Sequence, residues 1–104
     1  MAALKEFYLP SADSPGNFWR IGYYKPDRAP GVVSAYEGEL RRDTGWQSFT
    51  CDLFGCRKYR HQLTGRATKR AVAQALSELL VHMEASEVIS HEIAMKWVQK
   101  AQSI

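Results

Sequence analysis

The residues of this chain best suited to chemistry are six cations, Arg57, Lys58, Arg60, Arg66, Lys69 and Arg70, with His61 among them. From Leu53 to Ser77 they meet no Asp or Glu. Guanidinium and ammonium groups gathered this closely attract anions, phosphate above all, because Arg can grip two of its oxygens at once. The chain holds fourteen Lys and Arg against eleven Asp and Glu. Six of the fourteen lie in the acid-free stretch, so the net +3 divides into +6 there and −3 over the rest. That sign asymmetry marks a surface that faces a polyanion. Thr68 can add a hydroxyl to such a surface, and Tyr59, lying among the cations, a ring on which a base could stack. The expected nucleic-acid-binding residues are therefore Arg57, Lys58, Tyr59, Arg60, Arg66, Thr68, Lys69 and Arg70.

Other reactive residue types do not fall into working arrangements. His91 and Glu92 have the composition of an acid–base pair, but adjacent helical residues do not share a face. Cys51 has no base at an obvious spacing, and Cys51 with Cys56 supplies two of the roughly four ligands a zinc site takes. Asp43, Asp52, Glu37 and Glu39 are acids of the kind that solvated strands carry. No Gly-rich phosphate loop or nucleophile elbow occurs. The expectation is a non-catalytic protein with no cofactor and no metal.

The elements that must position the cations are legible from periodicity. Residues 1–17 read as an N-terminal arm and a Pro/Gly/Ser loop, and 18–104 as one α+β domain. Phe18–Lys25 alternates Trp19, Ile21 and Tyr23 on one face and predicts a strand. Pro26, Asp27, Pro30 and Gly31 then turn the chain. Val32–Leu40 predicts a second strand, with Val32, Tyr36 and Leu40 on one face and Glu37 and Glu39 on the other; Arg41–Gly45 reads as a turn. Trp46–Phe54 predicts a third strand, and a reversal at Phe54-Gly55 leads into a fourth over Arg57–Leu63. Charge on both faces of that fourth strand suits an edge position.

After Gly65 the period changes to 3.6. Val72, Leu76, Leu79, Leu80 and Met83 form a helical stripe, with Thr64 or Thr68 as N-cap. Arg66, Lys69 and Arg70 crowd the helix start, where the macrodipole favours acids, so this charge pattern points to a use beyond folding. A second helix over 87–102 carries Val88, Ile89, Ile93, Trp97 and Val98. It closes the core, covers the second face of the sheet, or packs on a twin in a homodimer. The fold class expected is α+β, a three- to four-stranded antiparallel meander followed by a long and a shorter helix packed on the sheet.

The run GRATKRAVAQAL, Gly65–Leu76, follows a basic strand and opens a long helix. It resembles the strand–helix end of double-stranded-RNA-binding domains. The resemblance implies phosphate contact at Thr68, Lys69 and Arg70, which match that family's Ser/Thr-Lys-Lys-like cluster. No amphipathic helix precedes the sheet here, and no Gly-Pro-His-type loop lies between the early strands. The layout of residues 46–80 is similar to that of arm-type integrase DNA-binding domains, with Trp46 near the expected aromatic. Both resemblances imply nucleic acid as the partner.

At 104 residues and 45% hydrophobic, the composition is that of one globular domain. No apolar run approaches the roughly 20 residues of a membrane span. The first ten residues lack the pattern of a signal peptide, so a cytoplasmic location is expected. The leading functional expectation is a small nucleic-acid-binding protein that contacts backbone phosphates, DNA or RNA. The alternative is a protein-interaction module, a bacterial or phage accessory regulator or inhibitor, docking its basic face on an acidic protein.

Overall fold

A computed structural model describes residues 6–43, 46–50 and 56–102. Five strands come first, β1 (Phe7–Pro10), β2 (Asn17–Tyr24), β3 (Val32–Asp43), β4 (Trp46–Thr50) and β5 (Lys58–Gln62), then the helices α1 (Lys69–Ala85) and α2 (His91–Gln102). All strand pairings are antiparallel. The α+β class, the antiparallel sheet and the two helices packed on it are as the sequence predicts. Five strands form rather than three or four because Phe7–Pro10, expected in an arm, pairs with β2.

β3 organises the sheet. Along one side it pairs with β2 from Val32 to Glu39. Along the other side it pairs with β5 over Val32–Tyr36 and with β4 over Glu39–Asp43. Since β4 and β5 are both antiparallel to β3, they run the same way, end to end, and are not the two arms of a hairpin. The expected reversal at Phe54-Gly55 lies outside the described residues, as do Cys51, Asp52 and Leu53. Arg41, Arg42 and Asp43, expected in a turn, continue β3 because β4 supplies their ladder partners.

Side chains alternate across a strand, and one face of the sheet packs beneath the helices. Leu9, Trp19, Ile21, Val33 and Ala35 are buried there against Val72, Leu76, Leu79, Leu80 and Met83 of α1. The two faces of β3 separate as expected, but the face that turns inward is the one carrying Glu37. α2 adds Ala94 and Ala101, and its Trp97 stacks on Phe7 with ring centroids 4.0 Å apart and an interplanar angle of 5°.

The helix ends explain where α1 and α2 stop. Thr68 caps α1, its hydroxyl accepting from the Ala71 amide at 3.0 Å. At the other end Glu87 takes a left-handed conformation, φ 61°. Its amide donates to the Glu84 carbonyl at 2.9 Å, and the Val88 amide donates to that of Met83 at 3.1 Å. This pair of bonds is a Schellman closure, with Val88 and Met83 both buried. It holds residues 86–90 outside any helix, so α2 begins at His91 rather than at 87; Val88 and Ile89 fill the core from the turn.

Candidate nucleic-acid interface

The acid-free stretch folds as a strand, a turn and a helix start, and its cations separate accordingly. Arg57 immediately precedes β5, where its carbonyl accepts from the Glu37 amide at 3.0 Å. Its side chain lies on the helix-facing side, 5.3 Å from the Trp19 ring. There Nε donates to Glu37 Oε1 at 2.9 Å, Nη1 to Asp13 Oδ2 at 2.8 Å and Nη2 to Asp13 Oδ1 at 2.7 Å. Nη2 also meets Glu37 Oε2. Ser11 completes the group, its Oγ 3.0 Å from Glu37 Oε2 and 3.1 Å from Asp13 Oδ1, so that its one proton can serve either carboxylate.

The electrostatics of this cluster follow from its geometry. Hydrogen bonds from Arg57 pull the Asp13 carboxyl down to about 2. The same guanidinium lowers Glu37, against the opposing effect of burial, and the two acids raise Arg57 in return. Glu37 is only 8% exposed, and Arg57, whose side chain is 38% exposed, reaches in from the edge of the core as its counter-charge. Beside the cluster the N-terminal loop is fastened to the α1–α2 turn, the Ala12 amide donating to the Val88 carbonyl at 2.9 Å, where Trp19 Nε1 also donates at 3.1 Å.

Within β5 the alternation is sharp. Tyr59 is half-buried on the helix side, edge-on to Trp19 at 5.4 Å and to His82 at 5.3 Å. Lys58 and Arg60 are exposed and therefore project from the opposite, helix-free face. β5 has β3 as its one described partner, which makes it the edge strand that its double-sided charge suggests.

Beyond β5 the chain turns through Gly65, at φ 76°, and enters α1. Arg66, Lys69 and Arg70 are all exposed around the start of that helix, whose first turn contains no acid. Thr68 spends its hydroxyl on the cap. Among the described residues, Arg60, Arg66, Lys69 and Arg70 make no ion pair with a carboxylate. The structure thus brings Arg66, Lys69 and Arg70 together at the helix start and puts Lys58 and Arg60 on the sheet face. It withdraws Arg57 and Tyr59 to the core side.

Tyr8, Arg20, Tyr36 and Phe49 are not among the site residues that the sequence points to. All four belong to the face that carries Lys58 and Arg60, by the register of β1 to β5. Period-2 alternation contains that signal, since Trp19, Ile21 and Tyr23 inward imply Arg20 and Tyr24 outward. No protein-family model, curated protein or solved structure matches this chain.

Proposed function

We propose that this protein binds nucleic acid without catalysis, holding backbone phosphates with the cations of the β5 edge and the α1 start. The observation that carries the proposal is that Arg60, Arg66, Lys69 and Arg70 are all exposed and have no carboxylate partner among the described residues. Arg20, Arg41 and Arg57 each meet an acid; Arg28, Arg42 and Lys96 do not among the described residues, but they lie on three separate parts of the fold rather than along one strand–helix edge. Cations left in water at a helix start oppose the macrodipole and do nothing for the fold. A phosphate would supply the missing counter-charge, and the free amides of the α1 start add to its attraction.

Arg57 and Tyr59 are left out of the contact set, since both are engaged on the other side of β5. The test is fluorescence anisotropy of labelled DNA and RNA, comparing the unaltered protein with the double variant Lys69→Glu/Arg70→Glu. The expected result is binding to the former and a uniform weakening, across sequences, in the latter. Equal affinity of the two proteins would sink the assignment.

A further inference from the structure

The face of the sheet turned away from the helices carries a pattern that the basic stretch alone does not contain. The register sets Tyr8 beside Arg20, Arg20 beside Tyr36, and Tyr36 beside Lys58. A row of aromatic, cation, aromatic and cation therefore crosses four strands, at the spacing where cross-strand side chains touch. In the next row Gly22 lies beside Ser34, and Ser34 beside Arg60. Gly22 accommodates the Glu6 side chain, whose Cγ lies 3.0 Å from where a Gly22 Cβ would be, and beside it is a depression of about 290 Å³ lined by Glu6, Arg20, Tyr24, Ser34, Tyr36 and Phe49.

The aromatic walls are not all committed to the sheet. Tyr8 and Phe49 pack on each other, with centroids 5.5 Å apart. Tyr24 and Tyr36 have no ring partner among the described residues, and Tyr24 is 59% exposed. Arg20 is held in place, its Nη2 donating to Glu6 Oε1 at 2.6 Å and its guanidinium 6.0 Å from the Phe49 centroid. The Glu6 carboxylate at the rim of the depression is thereby engaged. On the β5 side, Lys58 and Arg60 border the same face, so rings and positive charge adjoin.

We infer, on the reading that the protein binds nucleic acid, that this open face is a stacking platform for a single strand. Bases lie over Tyr36 and Tyr24, and the phosphates follow Lys58 and Arg60 along the β5 edge. Duplex is excluded by chemistry rather than size: paired bases already stack on each other and present only their edges, whereas a ring on a sheet needs an exposed base face. The same face serves DNA and RNA, because stacking and phosphate contact use nothing that distinguishes them.

The test titrates the full chain into labelled single-stranded DNA, single-stranded RNA and a duplex of the same sequence, each about twelve nucleotides long. Single strands are expected to bind about tenfold or more tightly than duplex, and Tyr24→Ala and Tyr36→Ala each to weaken single-strand binding by about fivefold or more. Tyr36→Phe keeps the ring and is expected to keep the affinity. Tyr24→Ala, at an exposed site, guards against a Tyr36→Ala chain that fails to fold. A preference for duplex overturns the platform. So does single-strand affinity unchanged by Tyr24→Ala and by whichever Tyr36 variant folds, and if Lys69→Glu/Arg70→Glu still weakens binding, phosphate contact stands without it. No binding to any oligonucleotide at low salt overturns both.

Discussion

A carboxylate in a protein core costs several kcal/mol unless a cation meets it, and in this fold Arg57 meets Glu37 in the company of Asp13 and Ser11. Replacing Arg57 by Met leaves Glu37 buried without its counter-charge, so the variant is expected to lose about 2–3 kcal/mol in a urea unfolding experiment. A loss under about 0.5 kcal/mol, the scale of a surface ion pair, would contradict the role given to it. The same contacts set an acid limit. Asp13 and Glu37 both titrate below their ordinary values of 3.8 and 4.5, Asp13 at about 2. Groups depressed in this way stabilise the fold above their unfolded values and cease to do so as pH falls through the folded ones. Thermal stability should therefore decline from about pH 4.5 towards about pH 2. In Arg57→Met the largest influence holding the Glu37 carboxyl down is gone while burial still raises it, so acidification should neutralise the buried charge and partly relieve that variant. Parallel pH profiles for the two proteins would refute the pairing.

The ends of α1 show fold and function pulling against each other. Lys69 and Arg70 lie where the helix dipole favours acids, and each charge reversal there is worth roughly 0.3–1 kcal/mol to the helix. Lys69→Glu/Arg70→Glu should thus melt at a higher temperature than the unaltered chain while binding nucleic acid more weakly; a variant less stable and weaker-binding would mean only that the fold was damaged. At the other end Glu87 sits in the left-handed region without being Gly. Glu87→Gly keeps the Schellman bonds and removes the Cβ conflict, a gain of about 1 kcal/mol by denaturant titration. No gain would mean that Glu87 is unstrained. The α1 stripe was fully legible in the sequence, because Val72, Leu76, Leu79, Leu80 and Met83 repeat at 3.6 with nothing to compete. The start of α2 was less so, since Val88 and Ile89 have helical spacing to Ile93 but are held in the turn by backbone bonds that no periodicity records. β4 and β5 show the same limit: alternation marks both as strands, yet which side of β3 they take depends on a long-range pairing.

Among the described residues of the whole molecule, two helices pack on one face of the sheet and none on the other, and the basic stretch wraps the edge between the two faces. The charge of this region was readable from composition; its division was not. Whether Arg57 or Arg60 faces outward depends on which face of β3 the helices cover, and that is decided by Trp19, Ile21, Val33 and Ala35 acting together. Tyr36 shares a face with Val32 and Leu40 as the sequence predicts, and the burial of Val33 and Ala35 turns that face away from the helices. If exposed cations without acid partners hold the phosphates, affinity for a single strand must depend on salt, measured at a series of concentrations from about 50 to 200 mM. If Arg60, Arg66, Lys69 and Arg70 each neutralise one phosphate, log K should fall against log salt with a slope of about −3. A slope near zero, or no binding at the lowest salt, would mean that these cations hold no phosphate.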